Sequence, residues 1–217
     1  MRFLLFVSIW FLCLGCGSRS TQLLTTSEIQ AASVAQVQPK FEKVLYRCTI
    51  DGRIVLKKFH LSGILYLKMM DGEHTRVVFQ GEMGNTFFDF GWGENDSFQV
   101  YSIIDQMNKP GLIKTLRKDF EMLLGKGVVR SGAAYSMSQG PCLQFRLLAA
   151  DDTTAYVRYY LNRQDELIKI ENGDAKRQVV EMTVAPSPVR TLPSLLTIDH
   201  KRAGFTIQLN QINIDAE

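Results

Sequence analysis

The chain has 217 residues, a net charge of +3 and a hydrophobic fraction of 46%. That length suffices for one large sheet-rich domain or two small ones. The charge is spread along the chain without a basic block. That argues against a nucleic-acid footprint, because phosphate binding needs clustered Lys and Arg.

Met1-Arg2 precedes a short apolar run, Phe3 to Leu12, the pattern of a secretory signal. The run is too short for a comfortable membrane span of about 20 residues. It ends at Cys13-Leu14-Gly15-Cys16, which looks like a bacterial lipobox, with a small residue before the modified cysteine. The implied chemistry is a thioether from Cys16 to diacylglycerol, cleavage that removes residues 1–15, and an acyl chain such as palmitate on the new amine. Several buried chains anchor stably where one is marginal. The other reading is a simple secretory peptide cut elsewhere. Gly17, and no nearby acidic residue, follows Cys16; this leans toward an outer-membrane anchor with the chain facing the periplasm. Residues 16–40 are expected to be the lipidated cysteine and a flexible tether. A short helix is possible over Glu28 to Val37, ended by Pro39.

From Phe41 to the end of the chain, residues 41–217, period-2 patterns dominate and predict one domain. Val44, Tyr46, Cys48 and Ile50 share a strand face, and Asp51-Gly52 reads as a tight turn. A second extended stretch runs from Ile54 to Met70, with a break expected near Ser62-Gly63. Thr75 to Trp92 is the most aromatic part of the chain. Its two apolar runs flank Gly81-Glu82-Met83-Gly84, hairpin chemistry that sets an apolar Met83 on a turn. Phe87 and Phe88 suggest a strand covered on both faces. Pro110 to Leu124 is the one clear helix, with Asn108 as cap and Gly125 past its end. Leu112, Ile113, Leu116, Phe120, Leu123 and Leu124 form its apolar stripe; Lys114, Arg117, Lys118 and Glu121 take the other side. Strands resume over Cys142–Ala149, Thr154–Leu161, Leu167–Glu171 and Arg177–Val184. The prolines at 186, 188 and 193 interrupt, and two more strands follow, with a bulge expected near Asn210. About ten strands and one helix predict a mainly β, α+β fold, an open or closed antiparallel barrel.

Catalytic patterns are nearly missing. His60, His74 and His200 have no metal-ligand spacing, and no nucleophile elbow, P-loop or dinucleotide fingerprint is present. Asp105, Asp119 and Glu121 read as a solvated helix face. No catalytic residue, metal or cofactor is therefore expected. Cys48 and Cys142 remain after processing and are either a disulfide in an oxidising compartment or two buried thiols. The helix stripe and the aromatic strand are either a packed core or the lining of a lipid cavity roofed by the helix.

Four segments carry a resemblance. Ser62-Gly63-Ile64-Leu65, Val77 to Thr86, Leu116 to Gly125, and Leu192 to Leu196 with Gly204 to Leu209 occur in the order found in the LolA/LolB-like lipoprotein carriers. They are nearest to the LolB branch, the outer-membrane lipoprotein receptors. Glu82-Met83-Gly84 stands where that family has a Pro-Leu-Gly knuckle, and Phe120 where its helix has Trp. The resemblance implies an unclosed antiparallel barrel with a helical lid. Its apolar cavity would be lined by Phe79, Phe88, Phe90, Trp92, Leu116, Phe120 and Leu123, with Met83 contacting membrane or cargo. It implies acyl chains of lipids or lipoproteins as ligand, and a periplasmic carrier protein as a possible partner. The alternative is a non-catalytic envelope scaffold that binds a protein partner.

Overall fold

The computed structural model describes residues 30–54, 57–70, 74–137, 139–148, 155–174, 177–201 and 203–212. The expected signal peptide, Cys16, most of the tether, and Asp71-Gly72 and Asp151-Asp152, which read as turns in the sequence, lie outside them. In chain order the elements begin with β1 (Gln30–Ser33), a 3-10 helix (Val34–Gln36), β2 (Lys43–Ile54), β3 (Lys57–Met69), β4 (Thr75–Gly81), β5 (Thr86–Trp92) and β6 (Phe98–Ile103). The helix α1 (Pro110–Leu124) follows. After it come β7 (Ser131–Met137), β8 (Gly140–Arg146), β9 (Tyr156–Leu161), β10 (Glu166–Gly173), β11 (Gln178–Pro188), β12 (Leu195–His200) and β13 (Phe205–Gln211).

All thirteen strands belong to one antiparallel sheet, ordered β1-β7-β8-β9-β10-β11-β12-β13-β2-β3-β4-β5-β6. β13 pairs with β2 and joins the two meanders. β1 and β6 remain as edges, so the barrel is unclosed. The helix shows how far the sheet curls. Asp119, Glu121 and Met122 lie within one turn, about 5 Å of axis. Yet Asp119 bonds to His200 on β12, Glu121 to Trp92 on β5, and Met122 to Tyr159 on β9. β9 and β5 are eight places apart in the sheet, ~38 Å if it were flat. The sheet therefore wraps around α1, and one apolar cluster fills the space between them.

Several local expectations are corrected. The fold begins at Gln30, not Phe41: β1 pairs with β7, and Ala32, Val34 and Val37 are buried in the core, so a tether cannot extend to Lys40. Asp51-Gly52 is inside β2 rather than a turn, and β3 runs unbroken through Gly63. Gly63 is needed for close approach, since a Cβ there would lie 1.9 Å from the Gln80 carbonyl oxygen. A register shift after Phe79 leaves Phe87 as a bulge whose ring turns toward Phe79, 4.8 Å away, and packs against the core; β5 is nonetheless buried on both faces from Phe88 to Trp92, with Asp89 bonded to Arg76 and Gly91 against Tyr101. Lys109, not Asn108, precedes α1, without a side-chain cap; Gly125 closes the helix at φ 63°. β11 continues through Pro186 and Pro188 because β12 pairs with it only as far as Val184, leaving an edge where proline is tolerated. β13 keeps its register through Asn210 and ends at Gln211, so no bulge shifts its phase.

Candidate functional site

The inward face of β4 and β5 carries Phe79, Phe88, Phe90 and Trp92. Alternation along two paired strands puts them on one side, where Phe79 opposes Phe88 and Val77 opposes Phe90. The helical repeat sends Leu116, Phe120 and Leu123 to the face of α1 that meets them. All seven are at most 4% exposed. Phe88 and Phe90 stack at 4.6 Å between ring centres, and Phe120 reaches Phe88 at 5.8 Å and Trp92 at 6.4 Å. The structure thus brings together every residue expected to line a cavity, and packs them against one another.

Polar groups hold α1 in this seat. Trp92 Nε1 donates to Glu121 Oε1 at 3.2 Å, and Arg117 Nε donates to the same oxygen at 2.6 Å. The Tyr159 hydroxyl donates to the Met122 carbonyl at 2.7 Å. Asp119 is fully buried, its Oδ2 2.8 Å from His200 Nε2 and its Oδ1 without a hydrogen-bond partner. Burial raises the Asp119 carboxyl above the usual carboxylate range, opposed by the His200 hydrogen bond. The His200 ring stacks on Phe205 at 4.1 Å. The expectation that Asp119 and Glu121 form a solvated face is therefore corrected. The signal was present in the spacing: position 119 lies three residues after Leu116 and four before Leu123, inside the stripe.

Met83 is at the tip of the β4–β5 turn and is 97% exposed. Gly84 takes φ 81° there, while Gly81 closes β4 and accepts from the Gly84 amide at 2.9 Å. Glu82 folds back to accept from the Ser62 hydroxyl at 2.8 Å, leaving the methionine as the apolar group that projects.

Cys48 and Cys142 are free thiols, so the disulfide alternative is corrected. Cys48 lies in the core cluster, opposite Leu209. Cys142 faces the other side of the sheet, opposite Tyr160 and within the field of Arg158, Glu171 and Lys169. Of the histidines, His60 pairs with exposed Asp51 at 2.7 Å and His200 with Asp119; His74 lines a cleft of about 300 Å³ with Arg76 and Tyr101. No group of three or more possible metal ligands occurs among the described residues. A second cleft, of about 490 Å³, lies at the free end of β2 and β3, beside Arg53, Lys58, Phe59 and His60.

No family model matches the chain, and no curated protein matches it. Three solved structures are similar over most of their length. A DUF1329 family protein from Desulfovibrio piger shares 10% identity over 85% of this chain and 90% of its own, at a TM-score of 0.44. A candidate outer membrane lipoprotein-sorting protein domain from Vibrio parahaemolyticus shares 8% over 85% and 91%, at 0.47. A LolA superfamily protein from Nitrosomonas europaea shares 8% over 83% and 88%, at 0.43. Each TM-score is below 0.5, so these likenesses assign no family, and the chain stands as an unclosed thirteen-stranded antiparallel sheet wrapped around one helix.

Proposed function

We propose that this chain is a bacterial envelope lipoprotein of LolA/LolB type. It is anchored at the outer membrane through Cys16, faces the periplasm, and holds acyl chains of lipids or lipoproteins for non-covalent transfer. The observation that carries this reading is the seating of α1. A single helix covers the aromatic inward face of β4 and β5, so lifting it uncovers an apolar trough between two sheet edges that do not meet. Each methylene shielded in such a trough contributes about 0.8 kcal/mol. Met83, projecting from its turn, is the group that touches the bilayer or the cargo. The test is native mass spectrometry of the chain from Gly17 onward, purified gently from an envelope fraction. Bound masses removed by organic extraction and identified as phospholipid or lipopeptide are expected. A clean apo mass that refuses added lipid overturns the carrier reading.

A second reading has its own observation. The seven residues that would line the trough already fill it, ring against ring. A permanently filled barrel would serve as a scaffold for a protein partner, and the apo outcome of the same measurement favours it.

A further inference from the structure

β2 and β3 are much longer than the strands beside them. β3 pairs with β4 only from Gly63 onward, so six residues, Lys57 to Ser62, run on past the end of β4, ~20 Å. The Met83 turn leaves β4 at that same end and is tied to Ser62 by Glu82. The free end of the β2–β3 hairpin and the exposed methionine therefore point toward the same end of the sheet, the hairpin reaching farther out.

The chemistry of that end is unusual for a hairpin. Arg53 and Lys58 are directly opposite each other across the strands, both exposed. Like charges in opposed positions destabilise a sheet, and neither has an ion-pair partner among the described residues. Lys57 occupies the next register position, opposite Ile54. Asp51, which also lines this end, lies 2.7 Å from His60 Nδ1. Between these residues and Gly204 opens the cleft of about 490 Å³, wide enough for a phosphate-sized group, with the partly buried Phe59 ring as an apolar wall.

We propose that Arg53 and Lys58, with the cleft between the hairpin and Gly204, dock the phosphate headgroups of an anionic bilayer. That turns this end of the sheet, which also bears Met83, toward the membrane surface. The inference rests on the carrier reading for what happens after docking, but its observable is separate. Arg53 and Lys58 form no ion pair among the described residues, so phosphates relieve their mutual repulsion, and an apolar side chain at the same end of the sheet complements the interface below the headgroups. Charge and exposed methionine thus select a bilayer over free phosphate.

The experiment uses the chain from Gly17 onward, which holds the whole sheet and α1 but lacks the anchoring cysteine. It is mixed with phosphatidylcholine vesicles containing or lacking one-third phosphatidylglycerol. Binding to the anionic vesicles only, weakened by salt, is expected. Arg53→Gln with Lys58→Gln should weaken it roughly 30-fold, at an unchanged melting temperature. The same variant should still carry acyl chains in native mass spectra, which separates failure of docking from failure of the carrier reading. Equal binding to both vesicle types, an unaffected double variant, or complete displacement by millimolar inorganic phosphate overturns the docking site.

Discussion

Replacing His200 with alanine removes the hydrogen-bond partner of a carboxylate that has no other. Asp119 is fully buried, and its Oδ1 already lacks a partner. His200→Ala strands Oδ2 as well and deletes the ring that stacks on Phe205 at 4.1 Å. Breaking a buried pair by removing one partner costs ~3–5 kcal/mol, because the remaining group keeps its desolvation penalty without compensation. For a chain of this size that corresponds to a fall in melting temperature of roughly 6–20 °C. Asp119→Asn should cost far less, about 1 kcal/mol, since the amide keeps the shape and one hydrogen bond while losing the charge. The assay is thermal unfolding by near-ultraviolet circular dichroism, with urea titration as a check on slope. Because this pair ties α1 to β12, His200→Ala should also speed amide exchange in α1 more than in β7 or β8. A His200→Ala variant that melts within about 2 °C of wild type refutes the reasoning.

The same pair predicts a pH dependence. Burial raises the Asp119 carboxyl, against the opposing effects of His200 and Lys118. A raised carboxyl binds its proton more readily in the fold than in the unfolded chain. Its contribution to stability is thus lost as pH rises from the ordinary carboxylate range through the raised value. Asp119→Asn lacks this titration, so the stability gap should shift toward the variant as pH rises and toward wild type as it falls. Urea titrations across that range that give a constant gap count against it. The thiols give a third test. Burial pushes Cys48 up to about 12 and Cys142 up to about 11. At pH near 8 the native chain from Gly17 onward should resist iodoacetamide, then take up two equivalents on unfolding without reductant. No uptake after unfolding indicates a disulfide and refutes the free-thiol arrangement.

Much of the sheet was legible because alternation is a direct imprint of a half-buried strand. Val44 to Ile50 and Tyr156 to Leu161 announce themselves by it. β7 does not. Ser131–Met137 is built of small and polar residues that are half-covered on both faces, so no alternation survives. β1 is four residues with only Ala32 buried, and its strand identity comes wholly from β7 beside it. Within the site, the apolar residues of α1 and β5 were readable from periodicity. Asp119 was not, although its position falls in the stripe, because a carboxylate is read as solvated unless its partner is known. That partner, His200, is 81 residues away. Cys142 and Cys48 were equally opaque: alternation assigns each a face, but only the register reveals that the faces are opposite.

The early start of the fold sets a leash length. With the anchor on Cys16, as proposed, and β1 fixed in the sheet from Gln30, thirteen residues lie between them. Thirteen residues reach at most about 45 Å. A tether running to Lys40 would have nearly doubled the stretched reach. With the proposed anchor, a leash this short would keep the barrel beside the membrane that holds it. On that proposal the chain would be a stationary receiver at that surface, to which its cargo must be brought.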